Sequence, residues 1–130
     1  KLGTKIEKFP DAYLADYKGL WSKEVKIPTG QPILGSDING FYVRVRGEEV
    51  YRGWDHDEAK FIYFAALTGA SSVKLPLDKQ VIASAVKSFE DKYRRLKEEV
   101  DELLSTLITD AKVRRSVEER VWKKIFQSSR

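Results

Sequence analysis

Apolar residues recur along the second half of this chain with a spacing that dictates long helices. Ile82, Val86, Phe89, Tyr93, Leu96, Val100, Leu103 and Leu107 step alternately by four and three. That is a heptad seam on a helix of about 28 residues, roughly 40 Å long at 1.5 Å per residue. Thr109-Asp110 then breaks and recaps the chain, and Val113, Val117, Val121, Trp122 and Ile125 give a last helix its apolar stripe. So short a connection predicts antiparallel neighbours. The last helix is the shorter one, so part of the seam needs another cover, either the apolar Phe61–Leu67 stretch or a helix of a partner protein.

Upstream the periods change. Phe41-Tyr42-Val43-Arg44-Val45-Arg46 alternates strictly, with Phe41, Val43 and Val45 on one strand face and Tyr42, Arg44 and Arg46 on the other. Gly47-Glu48-Glu49 turns into a second strand from Val50 to Trp54, which makes a small hairpin. Asp55 followed by Glu58 marks a helix start, and Gly69 a stop, so a helix is expected over about residues 56–68. Pro10 and Asp11 open a helix ending near Ser22, carried by Leu14, Tyr17, Leu20 and Trp21. Residues 27–40, IPTGQPILGSDING, are expected to be a loop, and residues 70–76 a turn. The expectation is one domain over residues 1–130, mainly α, with a long antiparallel helix hairpin and one small β-hairpin.

Composition narrows the chemistry. The 130 residues are 42% hydrophobic and 34% charged, too polar for a membrane protein and too apolar for a disordered one. Without cysteine there are no disulfides, thiolate metal sites, iron–sulfur clusters or thiol nucleophiles. The single histidine, His56, would have to serve any Ser-His pair. No intrinsic cofactor and no metal are expected. The opening residues KLGTKIEKF lack the apolar block of a signal peptide, no run is long enough to span a membrane, and a cytoplasmic location is expected. Abundant Lys, Glu and Arg with no Cys or Met fit a thermophile's composition.

The net charge of +4 is unevenly distributed. Residues 111–130 hold seven basic side chains (Lys112, Arg114, Arg115, Arg120, Lys123, Lys124 and Arg130) against Glu118 and Glu119, so the whole excess lies in the last helix. Of these, Arg114, Arg115, Lys123 and Lys124 are candidates for binding nucleic acid or an acidic partner; a merely solvated face is the alternative. A second basic place surrounds the hairpin, where Arg44, Arg46, Arg52, Trp54, His56 and Lys60 interleave cations with aromatics. Guanidinium groups fork onto phosphates and rings stack on bases, so these six are candidates for a nucleotide or phosphate site with ATP as a possible ligand.

Other patterns carry less. Asp55-His56-Asp57-Glu58 has the donor types for a divalent ion, but acids in a first helical turn are favoured by capping and the helix dipole. Glu58 and Lys60, with Asp37 or Asp55, imitate the carboxylate–lysine signature of metal-dependent nucleases; on a helix, residues two apart point in diverging directions. Gly30, Gly35 and Gly40 are followed by no Gly-Lys-Ser/Thr, so there is no P-loop. Catalysis by this chain alone is not expected.

The segment Arg52-Gly-Trp-Asp-His56-Asp-Glu-Ala-Lys60-Phe-Ile-Tyr-Phe-Ala-Ala-Leu-Thr-Gly69 resembles a stretch in the C-terminal domain of the archaeal and eukaryotic primase large subunit. In that family basic residues and a histidine precede and begin an aromatic-rich helix ending at a glycine. The family's domain carries an iron–sulfur cluster on cysteines, which this chain lacks, so the resemblance is to the small cluster-free accessory subunits of crenarchaeal primases. It implies a non-catalytic subunit of a heteromeric primase, in which Arg52, His56 and Lys60 hold the triphosphate of an initiating nucleotide for a polymerising partner. The rival expectation is a helical adaptor that binds a partner protein through its heptad helix.

Overall fold

A computed structural model describes the backbone of residues 8–127 and the side chains of residues 8–123. Its elements are α1 (Asp11–Leu14), β1 (Trp21–Lys26), β2 (Pro32–Asp37), β3 (Gly40–Val45), β4 (Glu48–Gly53), α2 (His56–Leu67), β5 (Ser72–Pro76), α3 (Lys79–Leu107) and α4 (Ala111–Gln127). β1 pairs antiparallel with β5, and a separate antiparallel sheet has the order β2-β3-β4. The domain is therefore mixed α/β, which corrects the mainly α expectation with its single hairpin.

Three strands stand where none is expected, and each has a local reason. The helix predicted from Pro10 to Ser22 stops at Leu14; the Tyr17 hydroxyl donates to the Leu20 carbonyl, Leu20 faces solvent, and Trp21 begins β1. β2 lies inside the predicted loop. Pro32 is its first residue, where a missing N–H is tolerated, and Gly35 leaves room for Tyr42, since a Cβ there would come within 2.5 Å of the tyrosine oxygen. β5 replaces the predicted turn; Val73 and Leu75 are buried while Lys74 is exposed, the alternation of a half-buried strand.

The hairpin forms as predicted, but its turn is Arg46-Gly47, with φ of 53° and 81°. Both values are positive, which is the two-residue turn that suits the twist of paired strands. Arg46 therefore sits in the turn and not on the strand face with Arg44, and the return strand begins at Glu48 instead of Val50.

α2 packs between the three-stranded sheet and α3. Asp55 caps it by accepting from the Asp57 and Glu58 amides, at 2.9 and 3.3 Å, and Gly69 ends it at φ 93°. The Glu58 carboxylate does not reach back to the cap; it accepts from the Tyr51 hydroxyl at 2.8 Å and so ties α2 to β4. Ala59, Phe61, Ile62, Ala65 and Ala66 are buried, and Phe9, Phe61, Phe64 and Phe89 form one cluster of tilted and edge-on rings, with the Phe64–Phe89 centroids 4.5 Å apart.

α3 buries Ile82, Val86, Phe89, Leu96 and Val100 in this same core, so the heptad seam is internal there. Towards its end the stripe moves: Leu104 is buried while Leu107 is 68% exposed. At 100° per residue Leu103 has turned about 60° from the direction of Ile82, and Leu104 takes its place on the side of buried Val86, whereas Leu107 keeps the seam direction and is exposed at the last residue of the helix. α4 runs back along α3, as predicted. Asp110 accepts from the Lys112 amide at 2.8 Å, and Tyr93 meets Trp122 at 5.1 Å between centroids. None of the described helices is long and apolar enough to cross a membrane.

Candidate functional site

On the outer face of the β2-β3-β4 sheet, register sets Gly35 beside Tyr42 and Tyr42 beside Arg52, and Arg44 beside Glu49. Tyr42 lies over Gly35, and two guanidinium groups stack against its ring, Arg44 at 4.1 Å and Arg52 at 5.2 Å. Arg52 also donates to both oxygens of Asp37, at 2.7 and 3.1 Å, and to both oxygens of Glu49, at 2.9 and 2.7 Å. Arg44 approaches Glu49 at 3.9 Å. These bonds from the arginine hold the Asp37 and Glu49 carboxyls below the usual carboxylate range. Two cations and two carboxylates make this face neutral as a unit.

The other expected phosphate contacts lie elsewhere. Lys60 pairs with Glu90 of α3 at 3.0 Å. His56 stacks on Phe41, with centroids 4.4 Å apart and an interplanar angle of 9°. Trp54 is 75% exposed beside Gly40, at one end of the hairpin, whereas Arg46 occupies the turn at the other, roughly 20 Å away along six strand residues. The six side chains thus do not converge on one ligand. Glu58 turns to the sheet and Lys60 to α3, so the carboxylate–lysine pair of the nuclease pattern diverges.

The terminal helix is different. Between residues 112 and 123 of α4, the polar residues Lys112, Arg115, Ser116, Glu119, Arg120 and Lys123 are exposed, with Val113 exposed at their edge, whereas Arg114, Val117, Glu118, Val121 and Trp122 are half-buried. At 100° per residue the exposed polar set occupies one arc of about 140°, which carries four cations and one acid over about 17 Å of helix. No carboxylate among the described residues pairs with Lys112, Arg115, Arg120 or Lys123. Arg114, expected among the binding residues, turns inward and donates to the Ile108 carbonyl at 3.4 Å, closing the helix connection. The Lys124 side chain lies outside the described residues.

Beside this arc opens a cleft of about 730 Å³. Its walls are the loop Thr29–Pro32, Tyr63 and Leu67 of α2, Tyr93 of α3, and Glu119, Trp122 and Lys123 of α4. Burial pushes the Tyr63 and Tyr93 phenols above the ordinary value, so both rings are neutral at physiological pH. Tyr63 and the glycine-containing loop escape a sequence reading as site residues because only the tertiary fold sets them against α4.

No protein-family model matches the chain, and no curated protein or solved structure matches it.

Proposed function

We propose that this chain is a non-catalytic nucleic-acid-binding subunit that grips phosphates with the outward arc of α4. The observation that carries the reading is a contrast between two sets of cations. Arg52 and Lys60 are already held by carboxylates, whereas Lys112, Arg115, Arg120 and Lys123 lie together on one face without an ionic partner among the described residues. An anionic polymer meeting that arc displaces water and counterions and breaks no internal salt bridge. In a primase of the kind the Arg52–Gly69 segment resembles, such a subunit would hold an initiating triphosphate or its template strand for a polymerising partner, with no nucleophile of its own. The adaptor alternative draws less support, because the heptad positions from Ile82 to Val100 are spent on the chain's own core.

The test is a salt titration of the whole chain with a fluorescein-labelled single-stranded oligonucleotide. If three or four phosphates are contacted, log affinity falls with log salt at a slope of about −2 to −3. Reversing two charges of the arc, Lys112→Glu with Arg120→Glu, should abolish binding at moderate salt. Binding that survives the double reversal would assign the contact to another surface.

A further inference from the structure

The basic arc alone gives no role to the cleft beside α4. We infer that the cleft takes one unpaired base of the strand whose phosphates lie along α4, an inference that rests on the nucleic-acid reading above and gives it a second, uncharged contact. Three aromatic rings, Tyr63, Tyr93 and Trp122, stand in its walls, and the Tyr93–Trp122 pair is tilted by 38°. At about 730 Å³ the cleft falls within the range of roughly 300–1,000 Å³ in which proteins enclose ligands of this size.

Charge at its rim selects the class of planar group. Lys123 lines the cleft and belongs to the exposed arc, so a phosphate on the arc is held next to any ring that enters. The stem of a second basic residue lies against the Thr29–Pro32 wall. Arg46 lays its stem along Gly30, where a Cβ would come within 2.6 Å of the arginine Cγ. Glu119, also in the wall, offers an acceptor that the exocyclic amine of a base can meet. A nucleotide combines a π-face, an adjacent anion and N–H donors, and the cleft answers each of them. An apolar ligand would leave Lys123 and Glu119 unused, and a bare phosphate would leave the rings unused.

The experiment compares two strands of equal charge, a labelled 12-mer of deoxyadenylate and the same 12-mer with abasic sites throughout, titrated against the full chain at one low salt concentration. Stacking of one base makes the intact strand bind about 5- to 100-fold more tightly. Trp122→Ala should erase that difference while leaving abasic binding in place. Because Trp122 also contributes to packing, Gln31→Trp is the companion variant: Gln31 is an exposed lining residue, and a bulky ring there fills the cleft without removing core. Equal affinity of the wild-type chain for both strands, or a preference that survives both variants, overturns the base pocket and leaves the α4 reading standing. Failure to bind either strand overturns both.

Discussion

Arg52 of β4 and Asp37 of β2 are joined by two parallel hydrogen bonds, at 2.7 and 3.1 Å, across the intervening strand β3. The bond pair clamps the edge strand to the hairpin, and Glu49 completes the fork on the same guanidinium. Both carboxyls have pKa values lowered in the fold by the arginine. A lowered carboxyl contributes stability above its unfolded pKa, and that contribution is lost as pH falls through the folded value. Thermal midpoints of the wild type and Arg52→Gln should therefore differ at pH 7, modestly for so accessible a network, and converge as the pH falls through the lowered values of the two carboxyls. A constant difference across that range would mean that Arg52 acts through packing on Tyr42.

The same pairing separates the two basic surfaces in a binding assay. Arg52→Ala should leave single-strand affinity within about twofold of wild type, since its charge is already matched. Lys112→Ala with Arg115→Ala should make the salt slope shallower by about 1.4, because each phosphate left unneutralised on a single strand removes roughly 0.7. Anisotropy titrations at four salt concentrations read both, and a larger loss of affinity from Arg52→Ala than from the α4 pair would return the site to the hairpin.

What the sequence disclosed, and what it hid, follows from how each element meets its neighbours. The hairpin, α2, α3 and α4 carry their own period and caps, so Val43 and Val45, Asp55, the seam from Ile82 to Val100 and Asp110 were legible locally. β1 was not, because Trp21, Ser22, Lys23, Glu24 and Lys26 are all exposed and show no alternation. β2 carries Pro32 and Gly35, breakers by composition that become tolerable only at a strand start and beneath Tyr42. The expected convergence of the hairpin cations failed for the same kind of reason. Asp37, which shares Arg52 with nearby Glu49, and Glu90, which claims Lys60, are distant in sequence from their partners and adjacent to them only in the fold.

Gly40 opens β3 at φ 114°, and a Cβ there would lie 2.6 Å from the Gly53 carbonyl oxygen. Backbone on one side and an unfavourable φ on the other leave a side chain no route to relax. Gly40→Ala should cost about 1–2 kcal/mol or more, a fall of about 3–5 °C in thermal midpoint per kcal/mol for a chain of 130 residues. By contrast, Gly47→Asn should change the midpoint little. Gly47 has open space around it, and asparagine tolerates its φ of 81°. A midpoint for Gly40→Ala equal to wild type would show that β3 and β4 can part at this end without cost.

Thr68, at the end of α2, is fully buried and carries a load that no periodicity announces. Its hydroxyl accepts from the Phe9 amide at 3.1 Å and donates to the Phe64 carbonyl at 2.9 Å. The first bond fixes the chain as it enters the core, since Phe9 is itself fully buried among Phe61, Phe64 and Phe89. Thr68→Val keeps the shape and removes the acceptor, which strands a buried N–H at a cost of about 1–3 kcal/mol. Thr68→Ser keeps the hydroxyl and should cost less, about the loss of one methyl group. Urea denaturation of the two variants separates the hydrogen bond from the packing: a valine variant as stable as the serine variant would mean that Phe9 is held by its ring contacts alone.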